Sequence, residues 1–221
     1  IGEAEPMERI KALPWEAAVI VSTCFSLACF AGQSCGELVL WGNIRSGADT
    51  SGRFLAVSAN LHVLALRSDG RVIAWGGNCA GQCNVPEAAH GAIRLAAGGY
   101  HSLALLKDGS IVAWGYNDCG QCDVPNTKSR FVSIAAGRLH SVALTKEGTV
   151  VAWGDNSEGQ CNVPAPNRDF VSIAAGEYHT LGLRKDGSVV AWGKNSDGQC
   201  DVPAPNENFI AVSYTHLTLP T

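Results

Sequence analysis

The chain has 221 residues, with 16 Lys and Arg against 20 Asp and Glu, and a formal net charge of −4 at pH 7. This balance indicates no basic face of the kind that favours nucleic acid, so we expect no nucleic-acid partner. The length without the terminal segments described below is that of a single domain.

The N-terminal segment has the layout of a secretory leader. A short head with Arg9 and Lys11 follows Met7, an apolar run extends from Ala17 to Ala31, and small residues surround Ala31. The run is shorter than the roughly 20 apolar residues of a membrane-spanning helix. We therefore expect residues 1–31 to contain upstream residues and a signal peptide that starts at Met7. The sequence predicts a secreted, periplasmic or cell-surface protein that meets a membrane only through this leader.

The segment 32–211 is dominated by a repeat of 39 residues, a period typical of repeat architectures. Four nearly complete units share a histidine, a Trp-Gly pair, the phrase GQC and a Val-Pro pair. The histidines in phase are His62, His101, His140 and His179. The tryptophans of the Trp-Gly pairs are Trp41, Trp75, Trp114, Trp153 and Trp192.

Each unit reads as three short strands, for example FVSIAAG, HSVALTKEG and TVVAWG between residues 131 and 154. An acidic residue followed by glycine predicts a two-residue hairpin turn between the second and third strands, and hence antiparallel pairing. The apolar run Ile111–Trp114 does not alternate, which indicates a sheet covered on both faces. Small sheets repeated radially predict an all-β fold, a β-propeller built of ~39-residue repeats.

The number of blades stays open. Residues 36–43, GELVLWGN, match only the last strand of a unit, and Phe209 starts another first strand. The last ten residues, 212–221, resemble a translated sequencing adapter. We therefore expect an incomplete arc of about four to five blades with an exposed edge.

The repeated phrase carries a family resemblance. Residues Ala97–Gln121 resemble the repeat of the regulator of chromosome condensation family, and the period and the ending GQCNVPAPN are similar to those of its shorter bacterial, exported members. That branch includes the propeller-type protein inhibitors of β-lactamase. Unit 1 departs from the pattern, since it lacks a glycine and is one residue short before His62.

The recurring histidines and tryptophans have a structural interpretation. We expect each histidine to stand at the start of a strand and bond neighbouring backbone, although a set facing a central channel could bind metal. We expect Trp75, Trp114, Trp153 and Trp192 to pack between blades.

The cysteines of GQC, at 83, 122, 161 and 200, are expected to fill space under the Val-Pro turn. Equivalent positions in neighbouring blades lie too far apart for a disulfide. Local pairing of Cys79 with Cys83, or of Cys119 with Cys122, stays open.

No motif predicts catalysis. The stretch Gly32–Gly36 fits G-x-S-x-G, but it lacks the strand and helix that a nucleophile elbow requires. We therefore expect no enzymatic activity, no cofactor and no metal site.

Positions that differ between units are the candidates for binding. The pair before each histidine varies, and in the similar β-lactamase inhibitors these loops face the enzyme. This first set is Asn60, Leu61, Gly99, Tyr100, Arg138, Leu139, Glu177 and Tyr178. A second set follows each Trp-Gly pair, and we interpret it as solvated loop tips: Gly77, Tyr116, Asp155 and Lys194.

The sequence thus predicts an exported, non-catalytic module that binds a protein, or a surface ligand, through loops on one rim. One alternative is a structural or adhesive segment of a larger cell-surface protein. Another, less favoured, is an enzyme with its site in the propeller channel.

Overall fold

The computed structural model describes residues 18–22, 37–41 and 53–212. Within these ranges the regular structure is β-strand apart from one short 3-10 turn at Glu87–Ala89. Each 39-residue unit forms one antiparallel sheet of three strands. The all-β prediction is confirmed.

The strands follow one another in the same order in every unit. Unit 1 contains β3 (Phe54–Ala59), β4 (His62–Arg67) and β5 (Val72–Gly76), and unit 2 contains β6 (Ala92–Ala97), β7 (His101–Leu106) and β8 (Ile111–Gly115). Unit 3 contains β9 (Phe131–Ala136), β10 (His140–Thr145) and β11 (Val150–Gly154), and unit 4 contains β12 (Phe170–Ala175), β13 (His179–Arg184) and β14 (Val189–Gly193). The remaining pair, β1 (Ala18–Ser22) and β2 (Glu37–Trp41), is parallel.

Strand β1 lies inside the segment predicted to be a leader, and β2 inside the opening piece 36–43. Most of the predicted leader, the Gly32–Gly36 stretch and the tail after Val212 lie outside the described residues. No helix long and apolar enough to cross a membrane occurs in the described part of the chain.

The hairpin between the second and third strands is antiparallel in every unit, but its turn is longer than the sequence predicted. In unit 1 the Arg67 N–H donates to Arg71 O at 2.8 Å, which encloses three residues, and only Gly70 has a positive φ, 87°. A three-residue loop that ends on a left-handed glycine matches the right-handed twist of the strands. The prediction of a two-residue turn was wrong by one residue.

The middle strand of each sheet is the buried one. The first five residues of β4, β7 and β10 are all buried, whereas β8, which contains the run Ile111–Trp114, is mostly half-buried. A middle strand has a neighbour along each edge as well as covered faces, while the third strand forms the edge of its sheet. A run of apolar residues without alternation therefore indicates burial on both faces more reliably for the second strand of a unit than for the third.

The hydrophobic core lies between successive sheets. Leu64 and Leu66 of unit 1 pack against Trp114 of unit 2. The same packing recurs at the next two interfaces, with Trp153 against unit 2 and Trp192 against unit 3. Among the described residues, Trp75 packs against side chains of its own sheet. A three-stranded sheet cannot cover its own faces, so each unit must pack against the next. The tryptophan and its aliphatic neighbours supply the apolar surface that is buried at each interface.

Candidate binding rim

His62, His101 and His140 each bond to the next unit. His101 Nε2 lies 2.8 Å from Ser141 Oγ, and Ser141 Oγ in turn donates to Gln121 O at 2.8 Å. The indole N–H of Trp153 donates to the same carbonyl at 2.9 Å. One carbonyl of unit 2 thereby accepts two bonds from unit 3, and the histidine adds a third link.

The same arrangement occurs at all three interfaces between the described units. His62 bonds Ser102 at 2.7 Å and His140 bonds Thr180 at 3.1 Å, each with the matching glutamine carbonyl and tryptophan. The sequence reading expected these histidines to bond neighbouring backbone. Each histidine does start a strand, but the predicted backbone partner was wrong for His62, His101 and His140, because their partner is a hydroxyl 40 residues along the chain.

The protonation state of these histidines follows from the hydroxyl. Ser141 has one hydroxyl proton and gives it to Gln121 O, so the His101 Nε2–H must be the donor in their bond. Nδ1 of His101 is then bare, and it is buried without a hydrogen-bond partner. Burial lowers the pKa of His101 to about 3, and the pKa values of His62 and His140 to about 4. These side chains are neutral at neutral pH.

A glycine three residues before the histidine makes room for its ring. A Cβ at Gly137 would lie 2.2 Å from His140 Cε1 and 2.5 Å from Gly176 O. Unit 1 has no such glycine, and its loop is shorter, since Asn60 N–H bonds His62 O directly at 2.8 Å. The departure noted in the sequence of unit 1 therefore corresponds to a real change of loop.

The cysteines of GQC are half-buried and donate to backbone. Their Sγ atoms lie 3.2 to 3.3 Å from the carbonyl oxygens of the second variable set. Burial raises the pKa of the Cys122 thiol to about 11 and that of Cys161 to about 12. Cys79 and Cys119, like the other cysteines of the described ranges, are free thiols, so neither local disulfide is present there.

Metal-ligating side chains do not converge within the described ranges, where no group of three or more His, Cys, Asp or Glu could hold an ion. His62, His101 and His140 instead form hydrogen bonds between units.

The two variable sets meet on one side of the arc. The N–H of Tyr116 donates to Tyr100 O at 2.9 Å, and the N–H of Asp155 donates to Leu139 O at 2.9 Å. Units 1 and 4 have the same bond, at 3.1 and 2.9 Å. We call this side the loop rim and define it as residues 60–61, 77–84, 99–100, 116–123, 138–139, 155–162, 177–178 and 194–201.

Five side chains of the loop rim form a continuous stack across three units, which we call the ladder. The rings of Tyr116 and Tyr100 meet edge to face with centroids 6.3 Å apart. Arg138 Cζ lies 5.9 Å from the Tyr100 centroid and 5.6 Å from that of Tyr178. Lys194 Nζ lies 5.9 Å from the Tyr178 ring. Each cation of the ladder therefore lies against at least one tyrosine ring.

Arg138 is the centre of the ladder. Its Nη1 is 2.7 Å from Glu177 Oε1 and also bonds Tyr178 Oη. The bond to Glu177 raises the pKa of Arg138 further above its usual value. These contacts hold long side chains in one arrangement before any partner binds, which reduces the entropic cost of binding.

The structure brings only part of the first set into the ladder. Tyr100, Arg138 and Tyr178 belong to it, Glu177 pairs with Arg138, and the Gly99 N–H bonds Gly137 O at 3.1 Å. Leu139 is half-buried, whereas Asn60 and Leu61 are exposed in the shorter loop of unit 1. Leu61, at 57% exposure, is an apolar side chain at that end of the rim.

Sequence reasoning missed the contribution of the second set. Tyr116 and Lys194 are the two ends of the ladder, although the sequence reading treated them as solvated tips. The signal was available, because pairing of His62 with Gly76 in the hairpin register places the residues just beyond them side by side.

Comparison with known proteins agrees with this repeat geometry. The family model described as the regulator of chromosome condensation (RCC1) repeat matches residues 60–82, 92–121, 131–160 and 170–199. The chain belongs to this family. No curated protein sequence matches the chain significantly.

Solved structures share the fold. Prp20p from Saccharomyces cerevisiae is 25% identical over 68% of this chain and 47% of its own, with a TM-score of 0.61. The ectodomain of the receptor kinase CR4 from Physcomitrella patens is 29% identical, over 69% and 46%, with a TM-score of 0.56. The ACR4 ectodomain from Arabidopsis thaliana is 26% identical, over 64% and 50%, with a TM-score of 0.52.

These similarities confirm the RCC1-repeat resemblance and the β-propeller fold class that the sequence predicted. The chain spans about half the length of the solved structures it matches. Four of its repeats form successive blades of an open arc.

Proposed function

We propose that this RCC1-repeat protein is a non-catalytic module that binds another protein through its loop rim. The observation that carries the proposal is the ladder, in which Tyr100, Arg138 and Tyr178 of three different units are stacked together. Tyrosine and arginine are the residues that most often dominate the energy of protein interfaces. The fold does not require tyrosine or arginine at these positions, since the equivalent residues differ from unit to unit.

The family supports binding as the mode of action. Prp20p is characterised by its binding to Gsp1p and histones, both of them proteins. We propose that this chain also binds a protein. Its rim positions vary between units, so they are available to recognise a partner specific to this chain.

We further propose that the protein acts outside the cytoplasm, as the apolar run after Met7 predicts, and that it belongs to the bacterial exported branch. Expression of the full chain with a C-terminal tag in a bacterial host tests this. Recovery of a shortened tagged chain in the periplasm supports export, and recovery of the full-length chain in the cytoplasm contradicts it.

Selection from an unbiased display library tests the rim. The purified chain is the bait, and each enriched binder is measured against Arg138→Ala/Tyr178→Ala. A matched control, Lys107→Ala/Lys146→Ala, changes two exposed side chains in the hairpin turns at the opposite ends of the strands. We expect most binders to lose about tenfold or more in affinity with the ladder variant and little with the control.

Binders that respond equally to the two variants, or only to the turn variant, would contradict a binding site on the loop rim. Thermal melts of both variants establish whether the fold is retained.

A further inference from the structure

The loop rim is strongly acidic, although the net charge of the whole chain is small. In its residues there are seven carboxylates: Asp118, Asp123, Asp155, Glu158, Glu177, Asp197 and Asp201. The cations there are Arg138 and Lys194. The hairpin turns at the opposite ends of the strands, residues 67–71, 106–110, 145–149 and 184–188, contain six cations and four carboxylates. The arc is therefore polarised, although its total charge is small.

Both cations of the loop rim are already neutralised. Arg138 Nη1 pairs with Glu177 at 2.7 Å, and Lys194 Nζ lies 3.7 Å from Asp197 Oδ2. Of the remaining five carboxylates, Asp118, Asp123, Asp155 and Asp201 bond neutral side chains. Asp123 and Asp201 each accept an amide N–H from an asparagine at 2.8 Å, and Asp155 accepts one from Gln160 at 2.9 Å. Their negative charge is thus uncompensated within the rim.

A buried donor also lies next to the ladder. Gln160 Nε2 bonds the carboxylate of Asp155, but Gln121, the equivalent residue of unit 2, is fully buried and its Nε2 has no partner. The residue that corresponds to Asp155 in that unit is Tyr116, one end of the ladder. Gln121 belongs to the rim loop that begins at Tyr116, so its unused amide N–H is a donor within the loop rim that suits a carbonyl oxygen.

We propose that the partner of the loop rim presents a lysine- or arginine-rich extended segment. Its cationic side chains meet the uncompensated carboxylates, and its apolar or aromatic side chains lie on the tyrosines of the ladder. Complementary charge favours basic partners and disfavours acidic ones on the same surface. This inference rests on the proposed function and specifies the chemistry of the partner.

The repeat supplies variants that change the charge without changing the fold. Asp123 and Asp201 occupy the position of Asn84 and Asn162 in units 1 and 3, where asparagine makes the same bond at 3.0 and 2.9 Å. Asp123→Asn/Asp201→Asn therefore removes two charges with a residue that the site already accepts. Asn84→Asp/Asn162→Asp adds two in the same way. Glu87→Gln/Glu207→Gln removes two exposed charges elsewhere.

The probes are two fluorescent peptides, (Lys-Tyr-Gly)4 and (Glu-Tyr-Gly)4, measured by anisotropy at low and at physiological salt. We expect the full chain to bind the lysine peptide and not the glutamate peptide. Asp123→Asn/Asp201→Asn should weaken binding by about threefold to tenfold and flatten its salt dependence, and Asn84→Asp/Asn162→Asp should do the reverse. The control variant should change affinity by less than about twofold.

Equal binding of the two peptides, or an equal response to the loop-rim and control variants, would overturn the inference. So would charge dependence that persists unchanged in Tyr178→Ala, since the contact would then bypass the ladder. Library binders that depend on the ladder but are neutral or acidic overturn the basic partner while leaving the proposed function in place. Absence of ladder-dependent binders removes the proposed function itself.

Discussion

His101 of one unit donates through Nε2 to the hydroxyl of Ser141 in the next, at 2.8 Å and out of contact with water. The bond belongs to a set that repeats at each interface between the described units. It explains why histidine and a small hydroxyl residue recur next to each other, since each member of the pair serves a different interface.

Replacement of Ser141 by alanine should lower the free energy of unfolding by about 1 to 3 kcal/mol, because the buried His101 N–H loses its acceptor and nothing replaces it. Ser141→Thr should cost less, since Thr180 makes the equivalent bond in unit 4. Urea denaturation followed by circular dichroism measures both. An equal cost for the exposed control Ser196→Ala, which should be within about 0.5 kcal/mol of the unchanged chain, would contradict the role of the bond.

Acidification should destabilise the arc. The pKa values of His62, His101 and His140 fall from an ordinary value of 6.5 to about 4, 3 and 4, so the unfolded chain binds these protons more readily. The stabilisation is complete above about pH 6.5 and is lost as the pH falls towards 4, with a slope of about 1.4 kcal/mol per pH unit for each histidine. Denaturation midpoints between pH 7 and 4 measure this slope. A flat profile over that range would show that the rings are not buried as neutral donors.

Gly137→Ala should be among the costliest single changes. Its Cβ would stand 2.2 Å from the ring of His140 and 2.5 Å from a main-chain oxygen, so the loop must shift, at a cost of about 1 to 3 kcal/mol. Gly91→Ala is the control, because Gly91 has a φ of 79° but nothing within 4 Å of the added atom. It reports the cost of a left-handed backbone alone, about 1 kcal/mol. If the two variants lose the same stability, crowding by the histidine is not the reason for the glycine.

The thiols should differ in reactivity. Cys79 and Cys119 are exposed, whereas Cys122 and Cys161 are half-buried with pKa values raised to about 11 and 12. Iodoacetamide attacks the thiolate, so at pH 8 the first pair should be alkylated well before the second. Peptide mass spectrometry over time measures the order. Faster labelling of Cys161 than of Cys119 would contradict the bond from its Sγ to Asp155 O.

Features that depend on contacts between residues near each other in the chain could be predicted from the sequence, and features that depend on distant residues could not. Strands, units and antiparallel hairpins follow from local patterns around residues such as Trp114 and Gly109, so they could be predicted. The bond from His101 to Ser141 joins residues 40 apart, and the repeat alone does not say which copy of the serine the histidine meets. The blade-to-blade geometry decides that.

The loop rim was half predicted for a related reason. Variation between units identified Tyr100, Arg138 and Tyr178 as candidates, but their stacking depends on side chains from three sheets. Tyr116 and Lys194 could have been added from the hairpin register. The unused N–H of Gln121 could not have been predicted from the sequence, because it is recognised only by comparison with Gln160, whose amide bonds Asp155.

The most direct test of the loop rim as the binding surface is a hydrogen-exchange map of the full chain, free and bound to the tightest binder from the unbiased library. Protection on binding should concentrate in the loop rim, at residues 99–100, 116–123, 138–139 and 177–178. Protection confined to the hairpin turns, at residues 106–110, 145–149 and 184–188, would contradict the loop rim as the binding surface.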